Sequence, residues 1–263
     1  MLKSTLKTSK MSTDRNLGFT FDVLSLRKNP QVLLDLYNQL RMEQGTPQIE
    51  RLGMAPTTIR VPIYSVELSQ TQVNPNSEKY LESKFDFYAF RDNFTGQEHV
   101  ALAKDIGEGE NVPVRVHSSC ITGEVFHATN CECHQQLELA LSIIEHEGRG
   151  AVVWLNQEGR GNGLEAKVKH MQIMAEDGLD TVEAFEKAGY PSESRHYENA
   201  AAILKNLGIK SARLITNNPD KIGQIKALGI EVVGRIPCEI KGGSEELQKN
   251  LQAKKEKLGH LIS

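Results

Sequence analysis

The chain has 263 residues, 39% hydrophobic and 25% charged, with 31 Lys+Arg against 34 Asp+Glu for a formal charge of −3. That length suits one large or two small domains with a core of their own, and the composition excludes a disordered chain. There is no global basic excess of the kind a nucleic-acid binder carries, and the longest apolar runs, such as Ala151 to Leu155, fall far short of the ~18 residues that span a bilayer, so neither nucleic acid nor membrane is an expected partner.

In chain order, the first fourteen residues carry three lysines and several hydroxyls without an apolar stretch; a disordered leader, or a start at Met11, is expected rather than a targeting segment. Val32, Leu33, Leu36, Leu40 and Met42 predict a helix between Pro30 and Glu43. Gly45 to Ser77, with four prolines, reads as loops around a short strand at Ile59 to Val66. Phe85 to Phe90, His99 to Lys104 and Val112 to His117 predict strands of an antiparallel, β-rich half. Leu137, Ala140, Leu141 and Ile144 fall on one helical face, and the helix stops near Gly148. A buried strand at Gly150 to Leu155 leads through a polar loop, Asn156 to Gly163, into a helix from Leu164 to about Ala175. Further on, helix 199–207, strand 212–216, helix 220–228 and strand 230–233 alternate, the mark of α/β units with a partly parallel sheet. Ligands of such sheets sit beyond the carboxyl ends of the strands.

Four cysteines are too few and too clustered for a disulfide framework, because Cys120, Cys131 and Cys133 lie within fourteen residues and Cys238 stands apart. Three thiolates suit zinc, and three protein ligands leave the fourth tetrahedral position to a water whose pKa the metal lowers toward ~7. Two other readings stay open on spacing alone: a closed structural site completed by His117, His127, His134 or Cys238, or buried thiols without metal. In the Gly-rich loop, glycines permit close backbone approach, Glu158 suits base or sugar donors and Arg160 offers a planar fork to phosphate. Asn218 suits an N-cap and Pro219 the first helical position, so amide N–H groups would meet Thr216 and Lys221 in an anion pocket; an ordinary capped helix with a solvated lysine is the plainer alternative. Glu193 and Arg195, two residues apart, fit no helical ion pair and by themselves read as surface charges.

Taken together, Arg115-Val-His-Ser-Ser-Cys-Ile-Thr-Gly123, Cys131-Glu-Cys133, Gln136-Leu-Glu138, Gln157-Glu-Gly-Arg160, Asp180-Thr-Val-Glu-Ala184, Arg195, and Thr216-Asn-Asn-Pro219 with Lys221 resemble GTP cyclohydrolase II, from about Phe85 to Lys257-Leu-Gly-His-Leu261. The resemblance implies a zinc enzyme that opens the imidazole ring of GTP, releasing formate and pyrophosphate at the entry to riboflavin synthesis. It implies Cys120, Cys131 and Cys133 as zinc ligands, and Arg115, Val116, His117, Ser118, Ser119, Gln136, Glu158, Gly159, Arg160, Thr181, Thr216 and Lys221 as substrate-binding positions. Arg195 matches the arginine that attacks the α-phosphate, and Glu193 stands where the family has an aspartate proton acceptor. Mg2+ with the nucleotide phosphates, a homodimer and a cytoplasmic location complete the expectation, with residues 1–84 as an extension of unassigned function and 85–263 as an α/β (α+β) catalytic domain with a mixed sheet of βα units. The departures are Glu193 for aspartate, Met171 for a tyrosine with His170 and Gln172 beside it, Asn162 for isoleucine, Phe185 for asparagine, and one extra residue between Lys167 and Gly178. They fall on the base and proton-transfer side, whereas the zinc and phosphate elements are kept, so a different purine product, a different nucleotide such as another purine or a pyrimidine like UMP, a reaction that stops after ring opening, or a non-catalytic homologue are the alternatives to GTP turnover.

Overall fold

The computed structural model describes residues 49–63, 80–240 and 242–263. The leader, the helix expected after Pro30 and the loop stretch at 64–79 lie outside these residues. All described residues belong to one unit, Thr46–Ser263. Its strands are β1 (Ile49–Pro62), β2 (Tyr80–Asp92), β3 (Glu98–Lys104), β4 (Val112–Ser118), β5 (Gly150–Leu155), β6 (Ser211–Ile215) and β7 (Glu231–Ile236). They form one sheet in the order β1-β2-β3-β5-β4-β6-β7. The expected mixed α/β fold is what the chain adopts.

β1 pairs with β2, β2 with β3 and β3 with β5 in antiparallel fashion, whereas β4 pairs with β5 and β6, and β6 with β7, in parallel. Two expectations are corrected here. β4 does not belong to the antiparallel half: a helix carries the chain from β4 back to β5, and such a crossover returns the next strand parallel. Of the strand expected at 59–66, the described part through Pro62 is the end of β1, which begins at Ile49 and runs fourteen residues along β2; residues 64–66 lie outside the described residues. The sheet therefore runs on through residue 85 without a seam.

The helices are α1 (Ile121–Glu124), α2 (Cys133–Glu147), α3 (Gly163–Asp177), α4 (Thr181–Lys187), α5 (Glu198–Asn206), α6 (Pro219–Ala227) and α7 (Glu245–Leu258). α2 ends at Gly148 with φ 70°, the left-handed conformation that glycine adopts freely. In β4, six of seven residues are buried, as a central parallel strand requires. Strand alternation divides it: Val112, Val114 and Val116 join the core under α5 and α6, with Tyr197, Ile203, Leu204 and Ile225. Arg115 and His117 project to the opposite face, where α2 lays down Leu139, Ala140, Ile143 and Ile144.

α4 and α7 are absent from the periodicity reading, yet each carries a local start signal. Asp180 and Glu183 form a reciprocal capping box at α4. Ser244 caps α7, with Glu245 and Glu246 in its first turn and Lys255 and Lys257 in its last, favourable for the helix dipole at both ends.

Candidate active site

β4, β5 and β6 end side by side, and the residues that follow them, Ser118 to Cys120, Gln157 to Arg160 and Thr216 to Asn218, line one cleft with about 190 Å³ of internal space. This is the carboxyl end of the parallel strands, where such sheets hold ligands. Of the seventeen expected site residues, the cleft gathers all but two. Val116 sits in the core and offers only its carbonyl, which accepts from Lys221 Nζ at 2.6 Å. Glu193 stands behind Arg195 rather than in the lining.

The Cys120, Cys131 and Cys133 sulfurs all lie within 4.8 Å of one another. None is in a disulfide, and Cys120 and Cys131 approach to 3.4 Å. Two sulfurs bound at ~2.3 Å to one tetrahedral ion stand ~3.8 Å apart, so the cluster has the dimensions of a metal site. Gly123 leaves room for it: a Cβ there would meet Cys131 Sγ at 2.8 Å and Cys120 Sγ at 3.4 Å. Among the described residues no histidine or carboxylate joins the three sulfurs. His127 packs edge-on against His134, whose Nε2 faces Glu138 at 3.5 Å. His117 Nε2 faces Glu124 at 3.1 Å, and Cys238 Sγ points at the Gln136 carbonyl at 3.6 Å.

Glu124 organises the loop that carries Cys120. Its carboxylate accepts from the Cys120 amide at 2.6 Å, from Trp154 Nε1 at 2.6 Å and meets His117. Burial pushes Glu124 up, but these hydrogen bonds outweigh it and hold the carboxyl below its usual range. Burial likewise drives His117 down to about 4, against the pull of Glu124.

The cleft floor is cationic without matching acids. Arg115 donates to the Ile215 carbonyl at 3.0 Å and to Gln136 Oε1 at 2.8 Å. Lys221 donates to the Val116 carbonyl and lies 5.3 Å from the centre of the Tyr197 ring, and Arg160 donates to the Ser192 carbonyl at 3.0 Å. Among the described residues none of the three has a carboxylate in ion-pair range. Burial, with Arg115 and Arg195 nearby, drives Lys221 well below its ordinary range, and burial brings Arg160 down to about 10. A low-dielectric floor with unneutralised cations attracts anions strongly. Asn218 caps α6 as its sequence predicts, accepting from the amides of Asp220 at 2.9 Å and Lys221 at 3.4 Å. Ser119 Oγ is buried on the same wall with no hydrogen-bond partner.

Elsewhere in the cleft the acids are already committed. Glu158, read from sequence as a sugar or base acceptor, accepts from the Ile121 amide at 2.7 Å, from its neighbour Gly159 and from Lys167 Nζ at 2.8 Å. Lys167, which sequence reasoning passed over, also reaches Cys120 Sγ at 3.2 Å and so joins the Gly-rich loop to the cysteine cluster. Its signal was placement: Ala166, Lys167 and His170 form the buried side of α3. Glu193 Oε1 accepts from Arg195 Nε at 2.7 Å and from the Arg195 amide at 3.0 Å, and Oε2 binds the same guanidinium. They are not the surface charges that their spacing suggests. Burial opposes both charges, yet Arg195 holds Glu193 down to about 2, while Tyr197 and Glu193 raise Arg195.

The sequence model of GTP cyclohydrolase II matches residues 74–237. The chain belongs to the GTP cyclohydrolase II family. The riboflavin biosynthesis protein RibBA of Bacillus cereus is 45% identical over 198 residues, covering 74% of this chain and 49% of that protein. RibBA of Bacillus mycoides is 46% identical over 180 residues, covering 68% and 45%. The chain thus spans about half the length of the curated relatives it matches. A solved structure, RibBX, a two-domain 3,4-dihydroxy-2-butanone 4-phosphate synthase from A. baumannii, aligns with a TM-score of 0.33 at 15% identity over 77% of this chain and 46% of that one.

The departures from the GTP cyclohydrolase II pattern have definite places. Met171 lines the cleft beside His170, Met174 and Phe185, whereas Gln172 points away to Glu176. His170 stacks on Phe185 at 4.0 Å, and burial lowers its pKa to about 4. Asn162 ties down the loop before Arg195: its amide donates to the Gly159 and Pro191 carbonyls at 3.2 and 3.0 Å, and its oxygen accepts from Ser194 at 2.9 Å.

Proposed function

We propose that this chain hydrolytically opens a nucleotide base ring, with GTP as substrate and formate and pyrophosphate as products, at the entry to riboflavin synthesis. The observation that carries the reading is the pairing, in one cleft, of a three-thiol cluster with the buried cations Arg115, Arg160 and Lys221, which no carboxylate neutralises. The catalytic part is the region 85–263 with β1 added to its sheet. Zinc held by Cys120, Cys131 and Cys133 would supply a Lewis acid and an acidified water at neutral pH.

The remaining work falls to this chain's own groups. Arg115, Lys221 and the amino end of α6 draw in the triphosphate, and Mg2+ accompanies those phosphates. Ser119 Oγ is free to bond the ligand, and Thr181 lines the same cleft. Glu193 fixes the guanidinium of Arg195, which lines the cleft; the proton-acceptor role that the resemblance implies for Glu193 would require it to leave that pair. Lys167 keeps a positive charge beside Cys120, which favours thiolate there. A homodimer and a cytoplasmic location belong to the same reading.

The apolar wall of Met171, Met174 and Phe185 favours a second reading, in which the ring is recognised differently. A thioether supplies neither the acid nor the donor of a phenol, so turnover would stop after ring opening or fall on another nucleotide. Zinc-loaded protein offered GTP, GMP and UMP, with formate, pyrophosphate and ultraviolet absorbance followed, separates the two. Formate from GTP supports the first reading. Ring opening without formate, or turnover of another nucleotide alone, selects the second, and tight binding without turnover indicates a non-catalytic homologue.

A further inference from the structure

The chain beyond residue 237, where the family match ends, packs around the cleft from several sides. Ser244 Oγ donates to the Thr129 carbonyl at 3.0 Å, Asn250 donates to the Asn130 carbonyl at 3.2 Å, and Lys254 pairs with buried Glu132 at 2.5 Å. These contacts grip the loop that carries Cys131. Lys257 reaches Asp180 and Glu183 at the start of α4, and the Leu261 amide donates to the Asn217 carbonyl at 2.8 Å. One segment therefore bridges the cysteine loop, α4 and the turn after β6.

That segment adds Asn250, Lys254, Leu258 and His260 to the cleft lining. Asn250 and Lys254 are engaged in holding it in place. His260 is different. Gly259, at φ 65°, ends α7 and turns the chain back, which sets His260 in the cleft wall, its Nε2 shielded from water and without a hydrogen-bond partner. An unpaired buried polar atom is destabilising, so a packing role alone leaves this nitrogen unexplained. Burial, helped by the charges of Lys254, Arg195 and Arg160 against the opposing Glu132, lowers the imidazole to about 4 and holds it neutral. A neutral imidazole amid cations is a donor suited to an anionic oxygen.

We infer that His260 is a substrate-contacting residue, delivered by the C-terminal segment Ser244–Leu261, whose Nε2–H donates to a phosphate oxygen of the bound nucleotide beside Arg195. The inference rests on the nucleotide reading above and deepens it. Calorimetric titration of the zinc-loaded wild type and His260→Ala with GTP and with guanosine tests it, alongside steady-state kinetics and zinc content per chain. One hydrogen bond to a charged group corresponds to a roughly ten- to hundredfold loss of affinity. The expected result is that loss for GTP, guanosine affinity within about twofold, unchanged zinc content and partial recovery in His260→Gln, which keeps an N–H donor. Unchanged GTP affinity in His260→Ala overturns the inference while wild-type turnover leaves the functional reading standing. An equal loss for GTP and guanosine overturns the assignment to phosphate. Wild-type protein that neither binds nor turns over GTP overturns both.

Discussion

Gly123 faces the three cysteines with nothing beyond its Cα, and a methyl group there would press on Cys131 Sγ at 2.8 Å. Gly123→Ala should therefore weaken zinc retention at least about tenfold in competition with a chelator, since metal ligands tolerate little displacement. An unaltered zinc affinity would show that the cluster yields easily. Cys131→Ser should abolish turnover with much of the fold intact, and wild-type-like turnover in a metal-free preparation of it would remove the zinc mechanism. Arg195→Ala should abolish pyrophosphate release if this guanidinium attacks phosphorus; unchanged release would leave Arg195 a phosphate contact only. At this scale residue type and spacing pointed to the cysteines, Thr216 and Lys221, and the resemblance alone to Arg115; all of them line the cleft. Lys167 and His260 were not, because a lysine on a helix and a histidine near a terminus have no local mark of the cleft they meet.

Among the elements, the Gly-rich loop and α6 illustrate how local chemistry translates into shape. Gly161 has φ 88° and lies so close to the Ser194 carbonyl that a Cβ would stand 2.4 Å from that oxygen. Gly161→Ala combines a left-handed backbone with a collision, so it should lower stability by more than about 1 kcal/mol and displace Arg195 as well, a loss visible in both the melting temperature and kcat. Capping at α6 is gentler. Asn218→Ala removes the acceptor for two amides and should cost about 1 kcal/mol in a denaturant titration. Asn218-Pro219 was readable because capping and proline at N1 are local rules, and the strand and helix alternation after Gly150 was readable from periodicity. The capping box of α4 and the Ser244 cap of α7 were equally local, but their helices hide among mostly polar residues, so apolar spacing alone passed over them.

For the molecule as a whole, buried ionisable groups make stability depend on acidity. His170 and His260 are lowered to about 4 from an ordinary 6.5, so the unfolded chain binds their protons first. The stability they contribute is complete above pH ~6.5 and is lost as pH falls toward 4. Glu193, lowered to about 2 from 4.5, adds a further loss between those values. Denaturant midpoints measured at pH 7, 5.5 and 4 should fall steadily, and a flat profile across that range would contradict the buried, neutral state of the histidines. The sequence alone determined the thiol set, the capped amino end of α6, the Gly-rich turn and the mixed α/β character, because each depends on residue type and spacing along a short stretch. Only the tertiary structure decided that β4 lies between β5 and β6, so that their three following loops share one cleft. It also decided that Glu158 and Glu193 serve Lys167 and Arg195, and that a segment more than a hundred residues beyond the cysteines closes on them. Those are matters of which groups meet across the fold, and burial and charge pairing settle them only once the sheet has brought distant parts of the chain together.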